Sequence, residues 1–164
     1  MALTGKLRAS DVHEVTTHKQ AVIGTTARTA DGRLYRYAKN GGAQLAAGAT
    51  VVAATQAAYT STASKKLVVG DVTVPTAGTV PAANVPKYED GVLTINNAKY
   101  LVNGVAQNGV ISLQDAIDVP ANSGAATSLA VNPFCGVTAG GTSPIGTAEV
   151  VVPANAYFWA FVSA

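Results

Sequence analysis

The sequence predicts an all-β protein, an antiparallel β-barrel or β-sandwich with an N-terminal arm and little helix. Three observations carry that expectation. Short β-branched and aromatic runs recur at intervals of roughly ten residues, with Asp-Gly, Asn-Gly and Pro-containing turns between them. No stretch shows the apolar stripe of an amphipathic helix. The final strand pattern is apolar on both faces, with Tyr157, Trp159 and Phe161 pointing one way and Phe158, Ala160 and Val162 the other. Strand order is not written in the local pattern, so barrel and sandwich both stay open.

Composition sets the broad class. The 164 residues suit one domain plus an arm, divided here as an N-terminal arm or edge strand over 1–20 and a single β-rich domain over 21–164. Only 12% of residues are charged and 48% are hydrophobic, much of that Ala and Val. A surface so short of charge must be covered by Thr, Ser, Asn and Ala or buried in an assembly. The formal net charge of +2 is too small to argue for a nucleic-acid partner. Cys135 is the lone cysteine, so no intrachain disulfide is expected. The N-terminal residues lack a signal-peptide apolar segment and no run approaches a membrane span, so the expectation is a soluble protein without a membrane partner.

Residues 1–20 scatter Lys6, Arg8, His13 and His18 among apolar positions and read either as an arm or short edge strand that lies across a neighbour or as a loosely ordered terminus. Residues 21–38 read as a hairpin turning at Asp31-Gly32, because Asp-Gly between β-formers is a strong local hairpin signal. In its return strand Leu34 and Arg36 share one face and Arg33, Tyr35 and Tyr37 the other, and one of the two sides is expected to meet solvent or a partner. Residues 44–52 follow as a loop into a strand. The Ala/Thr/Ser-rich 53–66 segment lacks an apolar stripe and reads as a surface excursion. Residues 67–74 read as a strand with a bulge at Gly70-Asp71. Turn-rich residues 75–90 precede strands at 92–95, 99–102 and 110–113, with turns expected at Asn96-Asn97, Asn103-Gly104 and Asn108-Gly109. Segments 122–128 and 138–147 read as loops. The tetrapeptide Val119-Pro120-Ala121-Asn122 recurs as Val152-Pro153-Ala154-Asn155; the flanks do not align, so it reads as a turn recipe used twice.

A search for site chemistry finds isolated groups. His13 and His18 lie five apart, with no Cys or carboxylate cluster to complete a metal site. Cys135 reads as a buried, inert residue. Asp115 and Asp118 would face opposite sides of one strand and suit turn roles. Gly41-Gly42 and Gly140-Gly141 match no phosphate-binding pattern. Arg33, Tyr35, Arg36 and Tyr37 could stack on single-stranded nucleic acid, but a protein-facing strand fits better. The expectation is a non-enzyme with no catalytic, metal or cofactor-binding residue.

Asp31-Gly32-Arg33-Leu34-Tyr35-Arg36-Tyr37-Ala38-Lys39, with Gly41-Gly42 and 45–48 after it, resembles the N-terminal hairpin of a family of tailed-bacteriophage virion proteins, the capsid-associated or head decoration (cement) proteins. The resemblance continues in order through 88–96, 129–137, 144–148 and 153–159. It implies a β-rich protein bound to the phage major capsid protein outside an assembled head, as a homotrimer, made in the host cytoplasm and residing on the virion exterior. On that reading Lys6, Arg8, His13, Arg33, Tyr35, Arg36 and Tyr37 are expected to touch the capsid, and Tyr157, Phe158, Trp159 and Phe161 to form core or subunit contact. Two other classes compete. A receptor- or glycan-binding module of a head fibre or tail would show exposed aromatics beside Asp, Asn or Arg. A small β-fold hydrolase would need a clustered acid-base set.

Overall fold

The computed structural model describes residues 6–8 and 10–164, with the side chain of Lys6 outside that description. In chain order its strands are β1 (Lys6–Leu7), β2 (Thr26–Thr29), β3 (Leu34–Asn40), β4 (Thr50–Val52), β5 (Tyr59–Thr62), β6 (Thr73–Val74), β7 (Val92–Ile95), β8 (Ala98–Val105), β9 (Ile111–Leu113), β10 (Ala126–Ala130), β11 (Cys135–Ala139), β12 (Gly146–Thr147) and β13 (Tyr157–Ser163). Short 3-10 turns occupy Asp11–His13 and Val85–Tyr88. The fold is all-β.

Contacts divide the chain into two compact units, Met1–Thr55 with Pro133–Ala164, and Gln56–Asn132. The sequence predicts a single domain from residue 21. The second unit enters between β4 and β11, where the turn chemistry looks like that of any hairpin, so the local pattern does not mark the exit into a separate sheet.

In the first unit, β3, β11, β4, β12 and β13 follow one another and β13 pairs back onto β3, closing a five-stranded barrel. The β3–β13 seam runs antiparallel from Tyr157 opposite Lys39 to Ser163 opposite Leu34. Ala38, Val51, Val137, Phe158 and Ala160 fill the inside with Leu45 and Val152. The opposite faces of β3 and β13 carry Tyr35, Tyr37, Tyr157 and Trp159, and over them lie Leu7, Val12, Ile23 and Ala27. The rings interlock, with Tyr37 4.9 Å from Trp159 and stacked on Tyr157 at 6.0 Å. The doubly apolar pattern of β13 therefore has its physical counterpart: barrel interior on one side, an N-terminal layer on the other.

Of the expected arm or edge strand, the structure shows an edge strand, β1, followed by residues that pack on the barrel's own aromatic face. β1 runs parallel to β2, Val12 is 2% exposed, and Thr16 and Tyr157 exchange backbone hydrogen bonds of 3.1 and 2.8 Å. The segment is held because an aromatic face this large must be removed from water.

The second unit is a curled antiparallel sheet ordered β5-β10-β7-β8-β9-β6. Its core gathers Leu67, Val74, Leu93, Tyr100, Val102, Ile111 and Leu129. The 53–66 segment carries β5 rather than a surface excursion, and β10 begins inside the expected 122–128 loop. Both were hidden by outward-facing Thr60, Thr62 and Ser128, polar residues that a half-solvated strand tolerates. Asn103-Gly104 is a bulge within β8 rather than a turn. Gly70-Asp71, expected as a bulge, is a tight turn with Gly70 at φ 98°.

The same corner geometry occurs once within each unit. In the first, Leu45 and Val152 exchange backbone hydrogen bonds, Gly48 N–H donates to Ala148, and Ala148 N–H donates to Ala49. In the second, Leu67 with Ala121, Gly70 with Ile117, and Ile117 with Asp71 repeat those bonds at the same offsets. Gly48 and Gly70 both hold left-handed φ, at 85° and 98°. The bridging residues are the first of one Val-Pro-Ala-Asn tetrapeptide and the third of the other, so the repeated letters and the repeated corner are out of register.

Candidate functional site

The residues expected at a partner surface separate into two groups. Tyr35 and Tyr37, 0% and 2% exposed, are core residues and not a contact face, which corrects that expectation. Period-two alternation put them on one face correctly; that face is covered by the N-terminal layer. Arg36 lies on the other face with its guanidinium 4.3 Å above the Phe134 ring, and its Nε has no hydrogen-bond partner. Stacking on the ring compensates part of that desolvation. Tyr157, Phe158 and Trp159 are core, and half-buried Phe161 meets the Tyr35 ring edge-on at 5.6 Å. Lys6 contributes backbone to β1, its side chain lying outside the described residues.

His13, Arg33 and Tyr35 do come together, around Glu149. Tyr35 donates its hydroxyl hydrogen to Glu149 Oε1 at 2.7 Å, and His13 Nε2 lies 3.6 Å from the same oxygen. Arg33 Nη1 donates to the Tyr35 oxygen at 3.2 Å, and its Nε pairs with Asp31 Oδ2 at 3.0 Å. Thr29 Oγ1 donates to Asp31 Oδ1, completing the chain of bonds. Burial and the Glu149 carboxylate push the Tyr35 phenol up to about 12. Hydrogen bonds from Thr29 and Arg33 hold the Asp31 carboxyl below its usual range. Exposed Arg8 is tied to Asp11 by a bidentate pair whose nearer contact is 3.2 Å, which lowers that carboxyl and raises the guanidinium. The cluster ties the 3-10 turn, β3 and the segment before β13 together. Its tyrosine stays protonated at neutral pH, so its chemistry is that of a hydrogen-bonded clasp.

Glu149 was missed by sequence reasoning. The available signal was a lone carboxylate opening an apolar run. Cys135 is buried and, among the described residues, no three of His, Cys, Asp or Glu approach as a metal-ligand set.

Exposed valines occur singly in the first unit, at Val22 and Val151, and gather in the second. Val68, Val69, Val72 and Val119 in the second unit are 49, 65, 55 and 46% exposed. The Leu67–Ala121 bridge and the Gly70–Ile117 bond bring their two loops side by side, with exposed Lys65 and Lys66 adjoining. Two grooves also open on this unit. One of about 470 Å³ runs beside Pro86 and Val105, and one of about 560 Å³ is lined by Ser, Thr and Asn on the outer side of β5, β10 and β7.

No family model, curated protein or solved structure matches the chain.

Proposed function

We propose that this chain is a structural virion protein, a capsid decoration protein that binds the outside of an assembled phage head and stabilises it by bridging capsid subunits. The observation that carries the reading is where the family-like stretches fall. Residues 31–39, 129–137, 144–148 and 153–159 are far apart in sequence, yet they contribute β3, β11, β12 and β13, strands of one closed barrel. Most of the resemblance thus falls on one closed barrel, while 88–96 and the start of 129–137 supply β7 and the end of β10 in the second unit.

With Tyr35 and Tyr37 buried, the capsid contact moves to exposed apolar surface. The valine patch of the second unit is the best supplied, since solvent-exposed valines on paired loops gain most from being covered. Binding the assembled shell and not its free subunits shifts the equilibrium toward the intact particle by mass action. Symmetry-related copies in a homotrimer, whose heterologous contact closes a three-fold ring, multiply that effect through effective concentration.

Light scattering of the purified protein, followed by co-sedimentation with empty phage shells, tests the reading. A trimer that co-sediments and raises the shell melting temperature supports it. A monomer that leaves every shell unchanged overturns it.

A further inference from the structure

We propose that the groove on the outer side of β5, β10 and β7 is a binding site for a neutral oligosaccharide. The sheet register builds it: Ser128 of β10 stands opposite Thr60 of β5 and Thr94 of β7, so three hydroxyls lie in one row across adjacent strands about 4.8 Å apart. Asn96 and Asn97, in the turn between β7 and β8, close one end. The groove has a volume of about 560 Å³ and no charged side chain lines it; Lys99, in register with Thr94, stands on the neighbouring strand.

The side chains of Thr60, Thr94, Ser128, Asn96 and Asn97 make no hydrogen bond to the described protein, so their donors and acceptors are available together along a concave surface. The turn adds a second argument. Asn96 and Asn97 hold φ of 49° and 66°, a pair of left-handed positions for which Asn-Gly is the favoured sequence. An asparagine at the second position costs turn stability and contributes an amide to the groove.

The lining selects the ligand chemistry. Hydroxyl and amide side chains each both donate and accept, matching a polyhydroxyl ligand, whose groups do the same. The lining itself carries no cation, Lys99 standing on the same face one strand away, which favours a neutral ligand over phosphate, sulfate or carboxylate, and without an aromatic platform there is nothing for a nucleobase to stack on. The absence of a stacking ring also makes a single site weak, so binding would rely on several copies. This inference is independent of the capsid reading.

The test is titration of the ¹⁵N-labelled full chain with neutral hexasaccharides (maltohexaose, cellohexaose, isomaltohexaose and chitohexaose) and with sulfated and sialylated oligosaccharides, each to millimolar concentration. The expected result is amide shifts confined to Thr60, Thr94, Asn96, Asn97 and Ser128 with a neutral probe. The double variant Thr94→Ala/Ser128→Ala, altered only on an outward face, should bind at least tenfold more weakly with the rest of its spectrum unchanged. Asn97→Gly should melt at the same or a higher temperature and still bind severalfold more weakly. Shifts elsewhere, response only to anionic probes, no response to any neutral probe, or unweakened binding by the double variant would overturn the proposal.

Discussion

Tyr35 donates a hydrogen bond to Glu149 at the rim of the barrel, and the burial of its phenol, with that carboxylate beside it, sets how the first unit responds to alkali. In the unfolded chain a tyrosine titrates near 10; in the fold burial and the neighbouring carboxylate push it to about 12. The folded state therefore keeps its proton over that interval. The stability this supplies is complete below pH 10 and is lost as pH rises toward 12. Urea midpoints measured across this range should fall steeply for the native protein and less for Tyr35→Phe; parallel curves would refute the assignment. Glu149→Ala removes the acceptor and should cost about 1–3 kcal/mol at neutral pH, read from the same unfolding curves. The acidic side has the opposite sign. Asp11 and Asp31 are held low by their partners, so the stability they lend is present above the ordinary carboxylate range and lost as pH falls through their folded values. Arg8 and the Asp31–Arg33 pair face solvent, which keeps that effect small even though Asp11 itself is buried.

At the scale of elements, the N-terminal layer is a structural part of the barrel unit. Val12 packs against the Tyr37, Tyr157 and Trp159 face, so Val12→Ala should cost about 2 kcal/mol. Deleting residues 1–18 removes Leu7 and Val12 together with the Thr16–Tyr157 backbone pairing. The chain has a single tryptophan, Trp159, on the uncovered face. The deletion should lower the unfolding midpoint and shift tryptophan emission to longer wavelength, whereas unchanged emission would show that the layer is dispensable. Much of the element inventory was legible: the Asp31-Gly32 hairpin, the strand at 92–95 and the Asn96-Asn97 turn all occur. The elements that escaped share one cause. Strands such as β5 bury only half their residues, and Tyr59-Thr60-Ser61-Thr62 offers one large apolar side chain to mark the buried side.

For the molecule as a whole, the charges set the expected salt response. Arg8, Arg33 and Arg36 are engaged by Asp11, Asp31 and Phe134, so shell binding through the valine patch should show only the shallow salt dependence that adjoining Lys65 and Lys66 supply. Co-sedimentation at low and high salt measures this, and a steep loss at high salt would return the contact to the basic residues. The second unit is continuous in sequence and carries its own core, so residues 56–132 expressed alone should fold to a β-rich state with a cooperative melt by circular dichroism. The first unit is discontinuous and joins β4 to β11 only through that insertion.

The sequence by itself determined the all-β class, the hairpin turns, the scarcity of charge and the two-sided burial of β13. These are local properties: turn chemistry is set by a few backbone torsions, and alternation dictates which side chains share a face. Which face meets the core was decided only by tertiary structure. Tyrosine suits an interface and an interior equally well, so Tyr35 and Tyr37 became core when the N-terminal layer closed over them. The Glu149 clasp, the second unit and the hydroxyl row across β5, β10 and β7 are products of strand order and register. Those depend on long-range pairings that no window of sequence contains.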